Sequence, residues 1–252
     1  DLNPVIQTFS YLPFLSGITI SNVNRPDMAF VCSKLISDDS HLQMIAFPKC
    51  HVELGAKALA DAINHNKNNN VVYWDLSGNR LKNMVLFTNG LKMSKAPIFH
   101  LNLANTGLND DACSKLFSSL RLKLNVFELE YLNISGAEFG NDSVDSFINY
   151  LRAMNKSGDQ TLKYLYLSNI QAEFDFAEII LALAKYLPTL EHLDISGIQM
   201  SSTVYEKLIT FLNKAKRLRS LNLADTSLKV QMVEGVMKMI TGNSHIQLIE
   251  LN

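Results

Sequence analysis

The sequence predicts an α/β solenoid, with parallel β-strands lining a concave face and helices covering the convex one. The first observation is a repeat: the pattern LxxLxLxxNxL recurs in register in segments beginning at Leu15, Leu42, Val71, Ile98, Leu129, Leu162, Leu190, Leu218 and Ile246. The steps are 27, 29, 27, 31, 33, 28, 28 and 28 residues. Second, each unit changes period after its strand, from alternation to helical spacing, as in ELGAKALADAINHN, where Leu54, Ala58, Leu59, Ala62 and Ile63 form one apolar face. Third, such a unit cannot bury both its strand face and its helix stripe alone, so neighbours must stack. At about 4.8 Å per strand, nine units give a concave sheet about 40 Å long.

Composition narrows the function. With 47% hydrophobic residues in 252, the chain holds ample core material. Lys and Arg (23) nearly balance Asp and Glu (24), so no global field drives the chain onto nucleic acid or acidic lipid. Cys32, Cys50 and Cys113 are too few and too scattered for a disulfide framework or a zinc cluster, which points to a reducing, cytoplasmic setting. No apolar run reaches the roughly 18 residues of a membrane span. Asp1 in place of an initiator Met, and the end at IELN in mid-unit, lead us to expect one domain over residues 1–252 that is a fragment of a longer protein. No catalytic triad order, HExxH, P-loop or GxGxxG occurs, and the six His residues show no metal-ligand spacing. The sequence therefore predicts no enzyme, no metal and no cofactor. The tripeptides at Asn133, Asn141 and Asn155 read as chance matches to a glycosylation site.

Within a unit the strand comes first. Alternation sends motif positions four and six into the core and positions three, five and seven to the concave face. Trp74 falls at position four and reads as core. Position three carries Tyr73, His100, Tyr131, Tyr164 and His192 in consecutive units, a column of rings. Position five carries Asp75, Asn102, Asn133, Tyr166, Asp194 and Asn222, a mostly acceptor column beside it, and position seven is nearly all Ser or Ala. Rings flanked by acceptors make a surface of hot-spot composition. The candidate partner site is Tyr73, Asp75, His100, Tyr131, Tyr164, Tyr166, His192 and Asp194, set against the alternative that parallel strands simply favour aromatic neighbours for packing.

The turn follows. Its ninth position should carry Asn or Cys to bond the turn backbone, and Cys50, Asn79, Thr106 and Thr226 can do so. Ala137, Ile170 and Ile198 cannot, so irregular turns are expected in units five to seven. The helices come next, with Asp110, Asp111, Asp142, Asp145, Glu173, Asp175, Glu206 and Glu234 near their beginnings, and a basic set including Lys92, Arg121, Lys156, Lys185 and Lys238 near their ends. Each sign complements the helix dipole. Stacking should turn the pattern into one acidic and one basic edge, densest at Lys214, Lys216, Arg217 and Arg219, a candidate docking edge for an acidic protein or lipid surface. The loop NHNKNNN, Asn64 to Asn70, reads as a solvated connector.

Units of about 28 residues with a full helix and strands such as HLNLANTGL, YLNISGAEF and SLNLADTSL resemble the ribonuclease-inhibitor-like subclass of leucine-rich repeats over nearly the whole chain. Within it, the irregular unit lengths and the LNLxxTxL and DISG-type strands look most like the CARMIL-type actin regulators. That resemblance implies a non-catalytic protein-interaction scaffold in a cytoskeletal regulator. Its membrane-binding module and its basic disordered tail, which carries the capping-protein motif, would lie outside these residues. The alternative within the same strand grammar is a GTPase-regulating solenoid of the Ran activator type, with small GTPases as partners. The polar loop residues that reading needs are not matched: Asn79 and Arg80 sit at ordinary turn positions.

Overall fold

The computed structural model describes the chain except residues 1–2, 11, 26–27, 37–39, 51–54, 67, 125, 127, 159, 173–175, 243–244 and 252. Leu54, Glu173 and Asp175 of the sequence reading lie outside the described residues. In chain order the elements are α1 (Asn3–Ser10), β1 (Gly17–Thr19), α2 (Met28–Lys34), β2 (Met44–Ala46), α3 (Gly55–His65), β3 (Tyr73–Asp75), α4 (Met84–Met93), β4 (His100–Asn102), α5 (Asp110–Leu122), β5 (Tyr131–Asn133), β6 (Glu138–Phe139), α6 (Asn141–Ser157), β7 (Tyr164–Tyr166), β8 (Gln171–Ala172), α7 (Ala177–Tyr186), β9 (His192–Asp194), α8 (Ser202–Lys214), β10 (Ser220–Asn222), α9 (Val230–Thr241) and β11 (Leu248–Glu250).

The main sheet has nine strands in the order β1-β2-β3-β4-β5-β7-β9-β10-β11. Every pairing is parallel, and its register joins position four of one unit to position four of the next, as in Trp74↔Leu101, Leu132↔Leu165 and Leu193↔Leu221. Each strand spans positions three to five, so one inward residue stands between two outward ones. The inward residues Ile45, Trp74, Leu101, Leu132, Leu165, Leu193 and Leu221 are buried, as are Phe47, Leu76, Leu103, Ile134, Leu167, Ile195 and Leu223 at position six. Helix stripes close the core from the other side with residues such as Leu59, Phe87, Phe117, Phe147, Leu183 and Phe211. Trp74 meets Phe87 edge-on at 5.8 Å. Truncating one such Leu to Ala would cost about 2–5 kcal/mol.

The turns carry a feature that runs through eight units. Position eight adopts left-handed backbone in each: Asn22, Lys49, Gly78, Asn105, Gly136, Asn169, Gly197 and Asp225. This conformation bends the chain back while its N–H still donates to the position-seven carbonyl of the next unit, as from Asn105 to Ser135 and from Gly136 to Ser168, both 2.8 Å. Asn, Asp and Gly tolerate it best. A side chain at Gly136 would strike that of Asn105, and one at Gly197 would strike that of Asn169. Asn and Gly therefore follow one another along the turn row.

At position nine, buried Asn79 binds its neighbour closely. Its Oδ1 accepts from Cys50 N at 2.8 Å, and its Nδ2 donates to the carbonyls of Phe47 (2.6 Å) and Leu76 (2.7 Å). Cys50 Sγ donates to Ile20 O, while Thr106 and Thr226 donate to Leu103 O and Leu223 O within their own turns. Units five and six, which carry Ala137 and Ile170 instead, solve the problem with backbone: β6 and β8 pair in parallel as a second, two-stranded sheet, and Gln171 N donates to Ala137 O at 2.9 Å. Unit seven keeps an ordinary turn despite Ile198, with Met200 N reaching Thr226 O at 3.1 Å. The expectation of irregular turns thus holds for two units and fails for the third.

The asparagine loop corrects the sequence reading more sharply. Asn66 and Asn69 are buried. Asn69 donates to Asn66 O and to Ser94 Oγ while accepting from Val71 N, and Asn70 donates to Ser40 O of the preceding unit. These amides satisfy buried backbone between helix and strand, so the segment is more than a solvated connector.

Candidate functional site

The register places Tyr73, His100, Tyr131, Tyr164 and His192 side by side on adjacent strands, with Asp75, Tyr166 and Asp194 two residues further along theirs. All eight are partly exposed, Tyr164 most among the rings at 38%. Tyr73, His100 and Tyr131 form a close stack, 3.8 Å between successive centroids and within 12° of parallel. Beyond Tyr131 the column loosens. Tyr164 stands 6.3 Å from both Tyr131 and His192, and the shorter path passes through Tyr166, 5.0 Å from Tyr131 and 4.5 Å from His192. The ladder therefore steps from position three to position five and back, which a reading by columns misses.

The imidazoles of the ladder are uncharged at neutral pH. Burial pushes His100 down to about 4, against the pull of the Asp75 carboxylate, and it lowers His192 as well, against Asp194 and Glu250. Among the described residues, the Nε2 atoms of both imidazoles are buried without a hydrogen-bond partner. Burial also raises the phenols of Tyr73 and Tyr131 and takes that of Tyr166 to about 12, with Tyr131 and the Asp194 carboxylate adding to the effect.

The acceptor column also has a structural job, which alternation alone does not reveal. Asp75 Oδ1 accepts from Ser77 N (2.9 Å) and Ser77 Oγ (2.6 Å), and Asp194 Oδ1 does the same for Ser196 at 2.9 and 2.7 Å. Asn102, Asn133 and Asn222 hold the backbone N of Ala104, Ser135 and Ala224 in the same way. One oxygen of each is thus committed to the turn two residues on. The second oxygen of Asp75 accepts from Asn102 Nδ2 at 3.1 Å. Tyr166 has no such oxygen, and Ser168 N instead lies 3.3 Å from Ser135 Oγ of the unit before.

Lys214, Lys216, Arg217 and Arg219 are all exposed where α8 ends and β10 begins. Lys216, Arg217 and Arg219 line an open cavity of about 460 Å³ together with Glu191, His245 and Gln247. Arg219 Nε lies 3.8 Å from Glu191 Oε2, and Lys163 Nζ 2.9 Å from Glu130 Oε1, so charges at the strand entrances partly pair among themselves. The basic edge is regular: His65, Lys92, Arg121, Lys156, Lys185, Lys214 and Lys238 each occupy the last turn of their helix. Among the described residues the helix starts form no continuous acidic edge. The first turns of α3, α4, α8 and α9 hold no acid; in α8 and α9, Glu206 and Glu234 lie a full turn inside. Asp110 is tied up: burial alone would raise its carboxyl, but bonds from Ser143 Oγ and from the backbone of Ser143 and Gly140 outweigh this and hold it below the usual range. Among the described residues no three His, Cys, Asp or Glu side chains gather as metal ligands, and no helix is long and apolar enough to cross a membrane.

No family model matches the chain. Among solved structures, a crystal structure of a Bacteroides fragilis protein is similar with a TM-score of 0.54 at 16% identity, covering 100% of this chain and 69% of that one. The leucine-rich repeat-containing protein LegL7 of Legionella pneumophila is similar with a TM-score of 0.53 at 19% identity, covering 99% of this chain and 78% of that one. The chain folds as a leucine-rich-repeat solenoid. This leucine-rich-repeat chain is also 27% identical over 197 residues to Protein CARMIL of Dictyostelium discoideum, a match covering 77% of this chain and 18% of that protein. The relationship is distant, and the match spans less than a fifth of the relative's length.

Proposed function

We propose that residues 1–252 are one leucine-rich-repeat domain acting as a non-catalytic, cytoplasmic protein-interaction scaffold within a regulator of actin assembly. The concave wall meets the partner, and the observation that carries this is the open half of the ring ladder, where Tyr164, Tyr166 and His192 are tilted and spaced apart. Side chains there can still be covered by a partner, as hot-spot rings are. The cytoskeletal assignment draws its support from the distant similarity to Protein CARMIL. The basic edge at Lys214, Lys216, Arg217 and Arg219 is a secondary docking surface.

The test replaces Tyr164 by Ser, Tyr166 by Asn and His192 by Ser in the full-length protein, taking the first two types from Ser220 and Asn222 in the same columns. Cross-linking mass spectrometry should then show the loss of partners seated on the wall, and retention of every partner would sink the proposal. A second measurement concerns capping protein, which these 252 residues alone should fail to bind. Tight binding by them would contradict the assignment of that contact to a segment outside the solenoid.

A further inference from the structure

Resting on the reading that the concave wall binds protein, we infer that its open half recognises a cationic side chain, Arg or Lys, of an extended partner segment, with Tyr164 and Tyr166 as the ring platform and Asp194 as the counter-charge. Three observations converge on this chemistry.

The first is charge. Among the described residues, positions three, five and seven, which face the concavity, contain no Lys or Arg, whereas Asp75, Asp194 and Glu250 stand among them. Burial keeps the imidazoles between them neutral at physiological pH, so the formal charge at the described positions of the wall is negative. Cations border it at the strand entrances, where Lys163 and Arg219 face Glu130 and Glu191. An acidic partner would meet uncompensated carboxylates, and a cationic one would neutralise them.

Ring accessibility is the second. The imidazole of His100 is covered on both faces by Tyr73 and Tyr131 at 3.8 Å. Tyr164 has its neighbouring rings 6.3 Å away, tilted by 35° and 37°, which leaves a face for a cation. A cation within about 6 Å of a ring centroid gains from the quadrupole, and the planar guanidinium of Arg can stack while bonding a carboxylate.

The third is the state of the two aspartates. Both oxygens of Asp75 are engaged, by Ser77 and by Asn102. Asp194 commits Oδ1 to Ser196, and none of the described hydrogen bonds engages its Oδ2. Asp194 pairs in register with Tyr166, just as His192 pairs with Tyr164, so the carboxylate lies one strand from the ring platform.

The probe is acetyl-(Gly-Arg)3-amide, titrated at low salt into the ¹⁵N-labelled chain, with the Gly-Glu counterpart as control. The Arg peptide should shift amides around Tyr164, Tyr166 and Asp194, and the Glu peptide should not. Asp194→Asn should weaken binding about fivefold by removing one charge, while the turn survives because Asn102, Asn133 and Asn222 hold theirs through an amide. Tyr164→Ser should weaken it about as much. Equal response to the Glu peptide, no response to either peptide, or an affinity unchanged in Asp194→Asn would overturn the inference. These outcomes leave the protein-binding wall intact, since that reading falls only if the triple variant keeps all its partners.

Discussion

Between Tyr73 and Tyr131 the rings lie 3.8 Å apart and within 12° of parallel, whereas between Tyr131 and His192 they tilt by 32–38° and stand 4.5 to 6.3 Å apart. The same residue types in the same column thus make a closed stack in units three to five and an open one in units five to seven. The difference turns on one substitution. Where Asp75, Asn102 and Asn133 tie down their turns, Tyr166 brings a second ring into the gap and leaves Ser168 to bond elsewhere. Rings that cover each other's faces hold the molecule together. The open rings keep area that only another molecule can cover.

This contrast can be broken by experiment. The largest effect is expected from His100→Ala, which removes the central ring of the closed stack and should cost about 2–3 kcal/mol in urea unfolding, against about 1 kcal/mol for His192→Ala. Equal losses at the two sites would erase the distinction. Next comes acid. Because burial holds the folded-state value of His100 at about 4, below its ordinary 6.5, the unfolded chain takes up a proton first. The stabilisation from its neutral form is present above about pH 6.5 and is lost progressively as pH falls towards 4, on the order of 2 kcal/mol. The lowered His192 acts with the same sign. His100→Phe, which keeps a ring but no titration, should flatten the pH dependence of the melting temperature.

Smaller effects sharpen the open half. Tyr164→Ser should change stability by less than about 1 kcal/mol, since its ring is already substantially exposed; a larger loss in thermal denaturation would make it a packing residue. The smallest change is expected for Tyr166→Asn. The new amide should regain the turn bond to Ser168 N, worth about 1 kcal/mol, and forfeit ring contacts of similar value, for a net change within about 0.5 kcal/mol by calorimetry.

Much of this architecture was legible before any coordinates. The inward columns and the strand register follow from position four alone, because a one-residue slip would turn Leu101, Leu132 or Leu165 out of the core. The turn row is written as plainly, in the Asn, Gly and Asp residues at position eight. Other features were beyond reach of pattern. Alternation says which face Tyr166 points to, yet not that its ring swings between two neighbours. The burial of Asn66 and Asn69 depends on carbonyls and hydroxyls some 25–30 residues away, and polar composition alone reads as solvent exposure. The expected acidic edge fails at α8 and α9 because these helices begin at Ser202 and Val230, a full turn before Glu206 and Glu234.

The handed turn row has a consequence for how such a chain can be rearranged. From Lys49 onward it reads Lys, Gly, Asn, Gly, Asn, Gly, Asp, and the side chain at each non-glycine position up to Asn169 occupies the room that the following glycine leaves empty. Between Lys49 and Asp225 the turns therefore alternate with a period of two repeats. Within that span, excising one repeat would set two bulky turns or two glycines side by side, whereas excising a neighbouring pair would restore the alternation of bulky and bare turns.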